Sequence, residues 1–324
     1  MAIASFAACS DDTPQEHIAD NELKVNLTLS IDDELTRASD GWDDYSPTDN
    51  GTVAENAINP GDLHIKVCDA AGRVIGSVGD VRITRVARNQ YTATGLWLNP
   101  GQQLRNAKKI MIMANCGNEA DNTDIANISY SIDGLNGYIP MWGVASISSL
   151  ALGTSNDIGT ISLLRATAKV GVELRSDMES RGYAIGALRI EGYNTMGYTL
   201  PTGYNRVAST ESLRFEGSLH PLESAATAPL DFTQQHYCYL PEYDNTSSTA
   251  TPSAIVVDLL RNGTHEGTYR LCFGTYQEGS PTGTLYDIQR NHYYKYTIYK
   301  EDNHVMVSLH VRKWYYRQHD DIIM

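Results

Sequence analysis

Residues Leu23 to Arg37, LKVNLTLSIDDELTR, set apolar Leu23, Val25, Leu27, Leu29 and Ile31 against polar Lys24, Asn26, Thr28 and Ser30. Successive side chains of a strand point to opposite faces, so this period of two predicts a half-buried β-strand. Acids follow, then a single basic residue, Arg37, then a polar segment at 38–61 rich in Asp, Asn, Gly and Pro. An arginine between a clean strand and an exposed loop is where an extended chain can enter a trypsin-like protease. Near the other end, Val305, Val307, Leu309 and Val311 alternate with Met306, Ser308, His310 and Arg312 in the same way. One strand that a cut would release, and a similar one able to replace it in a neighbour, together predict polymerisation by exchange of strands. The plainer alternative is that Val305 to Val311 is the last strand of its own domain.

Short alternating runs recur along the chain and long amphipathic helical runs are scarce, so the class is all-β. A hairpin is expected from Leu63, Ile65 and Val67 through the turn Asp69 to Gly72, with Arg73 to Ile75 returning. Further strands are expected at Val81 to Ile83, Tyr91 to Leu98, Leu188 to Ile190, Tyr237 to Tyr243 and Arg290 to Tyr299. Lys109 to Ala114 (KIMIMA) reads as a strand buried on both faces, and Ile161 to Leu174 opens a second block. Residues 115–137 predict a short helix or an irregular connection. Asn262-Gly263 marks a hairpin between Ile255–Leu260 and Tyr269–Phe273, with a loop longer than two residues.

At 324 residues the chain has room for two domains, each able to bury a core. The strand and turn spacing fits two antiparallel sandwiches in tandem: a terminal segment 1–21, a first domain at 22–160 and a second at 161–324. Charged residues make up 20% and apolar ones 41%, which places the bulk of the chain among globular rather than disordered proteins. A net charge of -14 argues against nucleic acid as a partner. Tyr outnumbers Phe, 20 to 4, which suits strands with one wet face.

No G-x-S-x-G elbow, Walker loop or G-x-G-x-x-G fingerprint occurs, so no catalytic role is expected. The histidines show no metal spacing, the acids of 38–61 lack an EF-hand pattern, and His319-Asp320-Asp321 reads as a polar tail. No metal or cofactor is therefore expected. Cys68, Cys116, Cys238 and Cys272 lie within or beside apolar strand patterns and form no CxxC pair. They read as buried thiols or as disulfides, of which four cysteines allow three connectivities.

The opening MAIASFAAC looks like the tail of an export signal, whose basic region and full apolar stretch are expected further upstream. The sequence around Cys9 resembles the lipobox of bacterial lipoproteins, in which the cysteine becomes the lipidated terminus; Phe6 departs from the usual Leu. Beside it stand Leu35-Thr36-Arg37-Ala38, Ile139-Pro140-Met141-Trp142-Gly143 and Leu164-Arg165-Ala166-Thr167-Ala168-Lys169-Val170. Tyr239-Leu240-Pro241-Glu242-Tyr243 and Arg290-Asn291-His292-Tyr293-Tyr294 complete the series. In this order and spread over nearly the whole chain, these segments resemble the fimbrillin or type V pilin family, the fimbrial subunits of Gram-negative gut and oral bacteria.

That resemblance implies two tandem transthyretin-like Greek-key β-sandwich domains and export as an outer-membrane lipoprotein through Cys9. It implies cleavage by an arginine-specific extracellular protease at Arg37 and removal of the strand carrying Leu23, Val25, Leu27, Leu29 and Ile31. The strand carrying Val305, Val307, Leu309 and Val311 is then the candidate donor. Expected partners are other copies of the chain or related fimbrial subunits, with a host or bacterial surface ligand that the sequence leaves open. A tip or anchor position in the fibre, and a monomeric lipoprotein binding glycan through Trp42 and the tyrosines, are the alternatives.

Overall fold

The alternation at Leu23 to Ile31 becomes strand β1 (Glu22–Ile31), whose apolar residues are at most 3% exposed. In the computed structural model the described residues are 18–31, 54–87, 89–117, 124–135, 137–213, 219–222, 230–247, 251–302 and 304–313. Cys9, Arg37, Trp42 and His319-Asp320-Asp321 lie outside them. After β1 come β2 (Leu63–Cys68), β3 (Val74–Ala87), β4 (Gln90–Leu98), β5 (Lys109–Ala114), β6 (Ser129–Ser131), β7 (Met141–Ser146) and β8 (Ser155–Arg165).

Seven of these strands pair round into a closed barrel, in the order β1-β4-β3-β2-β5-β7-β8. Strands β2, β3 and β4 follow one another and β5 returns beside β2, which is the Greek-key order. The barrel is filled rather than hollow: Leu23, Val25, Leu27, Leu29 and Ile31 meet Ile65, Val67, Tyr91, Trp97, Ile110, Ile112, Ile161 and Leu163 inside it.

The strand expected at Val81 to Ile83 is not separate. It is the far half of β3, a 14-residue strand whose pairing with β4 shifts register between Gly79 and Arg82, where Asp80 turns to φ +48°. That bulge bends one strand where alternation alone suggested two.

The second half comprises β9 (Thr167–Leu174), helix α1 (Ser176–Ser180), β10 (Tyr183–Glu191), β11 (Met196–Tyr198), β12 (Leu230–Asp231), β13 (Tyr237–Pro241), β14 (Ala254–Arg261) and β15 (Thr264–Cys272). It ends with β16 (Gly274–Gln277), β17 (Ser280–Leu285), β18 (His292–Glu301) and β19 (His304–Lys313). Two four-stranded sheets, β12-β10-β14-β15 and β13-β9-β18-β19, face each other across one core. Val170, Leu240, Tyr294 and Tyr296 from one sheet meet Ile190, Ile255, Val257 and Leu271 from the other. Pairing partners change at Ala166: β8 pairs with β1 and β7, whereas β9 pairs with β13 and β18.

The hairpin at Asn262-Gly263 is tighter than the sequence suggests. Arg261 pairs directly with Thr264, and Asn262 and Gly263 both take positive φ (+49° and +78°), as a two-residue type I′ turn demands. The polar run after Gly263 conceals the start of β15, because it lies on the exposed end of an outer strand. Residues 115–137 hold no α-helix among those described, but two short 3-10 turns and β6, which pairs with β11.

All six residues of β5 are buried. Ile110, Ile112 and Ala114 face the barrel core, while Met111 and Met113 join Trp142, Val144, Leu200 and Leu213 outside the barrel wall. The chain around 200–213 thus folds back over the outside of the barrel, which explains a strand apolar on both faces.

Candidate functional site

Strand β1 occupies the position that closes the ring. It runs antiparallel to β4, from Glu22 opposite Leu98 to Ser30 opposite Gln90, and parallel to β8, from Lys24 opposite Ser155 to Ile31 opposite Leu163. On the inner face Leu23 lies across from Trp97, Leu27 from Ala93 and Leu29 from Tyr91. Val25 faces Gly95, where an added Cβ would fall 2.5 Å from Val78 Cγ1, so only glycine fits. Five buried aliphatic side chains at about 1.5–3 kcal/mol each make β1 worth roughly 7–15 kcal/mol before ordering costs. Without it, β4 and β8 would each present an open edge above an apolar trough.

The chain re-emerges after β1 at the turn Ala54–Asn56, which is held firmly. Tyr91 Oη donates to the Asn56 carbonyl at 3.0 Å and accepts from the Ile58 N–H at 3.2 Å. Arg165, fully buried, donates through Nε to the Glu55 carbonyl at 3.0 Å and through Nη1 to Asn291 Oδ1 at 2.9 Å, and Nη2 reaches Asn56 Oδ1. Glu55 Oε1 takes the Lys169 ammonium at 2.7 Å and the Tyr239 hydroxyl at 2.9 Å. Burial, with the Glu55 carboxylate beside it, pushes the Tyr239 hydroxyl well above its ordinary value, so it remains a donor. The Lys169 ammonium also lies over the rings of Tyr237 and Tyr293, at 4.7 and 5.2 Å from their centroids.

A second buried pair lies close by in sequence. Arg290 Nε donates to Glu242 Oε2 at 3.0 Å, and its Nη1 and Nη2 donate to the carbonyls of Thr199 and Tyr198. Both side chains are nearly inaccessible, at 1% and 3%. Three motifs separated by scores of residues, LRATAKV, YLPEY and RNHYY, therefore meet where the barrel adjoins the sandwich. They position the two halves of the chain. In sequence these motifs show no such role, and nothing marks Glu55 and Asn56, since a buried charge follows no periodicity.

Strand β19 forms the end of its sheet and pairs along its whole length with β18, from His304 opposite Glu301 to Lys313 opposite His292. Val307 and Val311 are buried at 6% and 7%, and Val305 and Leu309 pack against the same core half-buried. The last strand is thus built into its own sandwich. None of Cys68, Cys116, Cys238 and Cys272 forms a disulfide. Among the described residues no helix is long and apolar enough to cross a membrane.

The comparisons with known proteins agree with this architecture. The fold is similar to that of the tip fimbrial protein Mfa3 from Porphyromonas gingivalis, at 14% identity and a TM-score of 0.54, covering 90% of this chain and 100% of that one. It is equally similar to a fimbrilin, FimA, from Porphyromonas gingivalis W83, at 13% identity and a TM-score of 0.54, covering 91% and 99%. Identities this low speak for the fold alone. A search of curated proteins finds no match. The profile of the fimbrillin-A-associated anchor proteins Mfa1 and Mfa2 matches residues 61–320, which span the barrel from β2 onward and the whole sandwich, and the chain belongs to that family.

Proposed function

We infer that this chain is a structural subunit of a cell-surface fimbria that assembles by exchange of strands, after a cut at Arg37 frees β1. The observation that carries this reading is the place of β1 between β4 and β8: it is the barrel strand that ends just before Arg37, and its loss would open the barrel along its length. An incoming strand with the same alternation would restore both ladders and refill the trough, which is β-strand addition. The tethered β1 out-competes any neighbour until it is severed, so proteolysis acts as the trigger. Export as a lipoprotein through Cys9 belongs to the same reading: the cut at Arg37 would separate the subunit from its lipid. The partners are then copies of this chain or related fimbrial subunits, together with an arginine-specific extracellular protease.

The candidate donor is the strand of Val305, Val307, Leu309 and Val311. Its burial supports a second reading, that of a terminal subunit which accepts a strand and donates none. Donating β19 would uncover Val307 and Val311 in its own core, at about 1.5–3 kcal/mol for each.

Arg-specific limited proteolysis of the chain lacking Cys9, mapped by mass spectrometry and run on a denaturing gel without boiling, tests both. A single cut after Arg37 and a heat-sensitive ladder that vanishes when 304–324 is deleted are expected of the strand-exchanging subunit. A cut at Arg37 leaving only monomers supports the terminal subunit. Resistance at Arg37 overturns the trigger.

A further inference from the structure

Asp62, His64 and Cys116 come together at one end of the paired strands β2 and β5. One ligand atom from each, a carboxylate oxygen, an imidazole nitrogen and the thiol sulfur, all lie within 4.8 Å of one another. Cys116, 8% exposed, belongs to the apolar cluster of Met113 and Trp142, while the side chains of Asp62 and His64 keep 17% and 16% of their surface, so the three lie where that cluster meets solvent. We propose that these three residues form a zinc site that clips the start of β2 to the segment after β5.

The donor set selects the metal. A thiolate and an imidazole suit zinc and its neighbours in the transition series, whereas calcium and magnesium require oxygen ligands. Zinc bonds of about 2.3 Å to sulfur and 2.0–2.1 Å to nitrogen place ligand atoms about 3.5 Å apart, a separation reached from this cluster by small side-chain rotations. Three protein ligands leave one tetrahedral position for water, which agrees with a site at the surface.

The backbone around the cluster is already fixed. The ladder pairs Leu63 with Ala114 and His64 with Met113, and the Asn115 N–H donates to the Asp62 carbonyl at 2.9 Å. The Gly117 N–H donates to Asp62 Oδ2 at 2.8 Å, which holds that carboxylate over the Cys116 segment. Asn115 Nδ2 in turn donates to the carbonyls of Ala57 and Ile139 at 2.9 and 2.8 Å, and its Oδ1 accepts from the Asn59 N–H at 2.8 Å. The two ligand-bearing segments are therefore tied into the barrel before any ion arrives, and binding costs little further ordering. His64 Nε2 lies 3.1 Å from Asp62 Oδ1, so the carboxylate and the imidazole that would share the ion already stand side by side. A chain with none of its four described cysteines in a disulfide would gain from such a clip the kind of cross-link that disulfides supply to small exported domains.

The full chain, reduced, stripped with chelator and returned to chelator-free buffer, is titrated with Co2+ and then with Zn2+. The expected result is saturation at one Co2+ per chain, with a thiolate-to-cobalt charge-transfer band that Zn2+ bleaches and Ca2+ does not. Cys116→Ser should abolish the band while Cys238→Ser keeps it, and His64→Ala should weaken Zn2+ binding by at least about 10-fold. Zn2+ should raise the melting temperature of the parent chain and not that of His64→Ala. Because Cys116→Ser removes a buried side chain, His64→Ala is the decisive variant if the serine form fails to fold. No charge-transfer band, a band that survives in Cys116→Ser, or unchanged Zn2+ binding in His64→Ala overturns the proposal.

Discussion

The Lys169 ammonium lies 2.7 Å from Glu55 Oε1, and the two side chains keep only 10% and 1% of their surface. This pair joins the first strand of the sandwich to the turn Ala54–Asn56 that precedes β2 of the barrel, and Tyr239 donates to the same carboxylate oxygen. Removing one partner from a buried pair leaves the other charge uncompensated, typically at about 3–5 kcal/mol, whereas an apolar replacement of both is often nearly neutral. Glu55→Ala is expected to lower the urea unfolding free energy by about 3 kcal/mol, and the double variant Glu55→Leu/Lys169→Met to recover most of it. Equal losses in the single and double variants would show that the pair does not act as a unit.

The worth of β1 can be measured without any protease. Leu27, 3% exposed and facing Ala93, should cost about 2–5 kcal/mol when changed to alanine, read from the shift in denaturant midpoint. A chain beginning at residue 38 is expected to associate through its open β4 and β8 edges. A synthetic peptide of residues 20–31 added during refolding should keep it monomeric by light scattering, and the same peptide carrying Leu27→Asp should not. If the shortened chain is monomeric and as stable as the parent, β1 is not the strand that closes the barrel.

An acid-sensitive element lies between Asp244 and Asp287. Partial burial raises the Asp244 carboxyl, but hydrogen bonds from the Ser247 side chain and from the Ser247 and Thr246 backbone outweigh this and bring it from 3.8 to about 2. A carboxyl depressed in the native state adds stability above its unfolded value and loses it as pH falls towards the folded one. Asp287 is shifted upward, first by burial and then by the neighbouring Asp244 charge, so its contribution has the opposite sign and grows as the pH drops. Asp244→Asn should therefore flatten the loss of stability between about pH 4 and 2. Asp287→Asn, which keeps an acceptor for the Asn245 and Thr246 N–H groups, should be the more stable variant at neutral pH. Melting temperatures across the pH series check both, and parallel curves for all three proteins would dismiss the coupling.

Thiol reactivity provides a further test. Burial pushes the Cys68 thiol up to about 12, and burial likewise raises Cys238 well above its usual value. Both should ignore an aromatic disulfide reagent at pH 8 in the native protein and react once denaturant is added, because the thiolate is the nucleophile. Cys272, half-buried, is expected to react first. Prompt native-state labelling of Cys68, located by peptide mapping, would mean that β2 opens locally.

Alternation made β1, β4 and β19 legible because each has one face in a core and one in water. KIMIMA was legible for the opposite reason, being apolar throughout, although nothing in it announces that residues from beyond 200 cover its outer face. The change of partners at Ala166 is hidden because the strand pattern runs from Ile161 to Val170 with no glycine or proline to mark a break. Arg165 and Glu55 were illegible: 110 positions separate them, and a buried hydrogen-bonded charge resembles an exposed one in sequence. The cluster of Asp62 and His64 with Cys116 escaped for a similar reason. A spacing of two puts the first pair on one face of a strand, but only the register of β2 on β5 brings Cys116 to it.

The barrel offers its closing position with a sense of direction. The strand there is antiparallel to one neighbour and parallel to the other, and parallel and antiparallel ladders space their hydrogen bonds differently. A guest retains both ladders only by entering in the same N-to-C sense as the strand it replaces. Contacts of that kind are heterologous, with a giving surface on one molecule and a receiving surface on the next, and where the exchange is not reciprocal they run head to tail. A filament grown in this way would have two unlike ends and would lengthen by a different reaction at each.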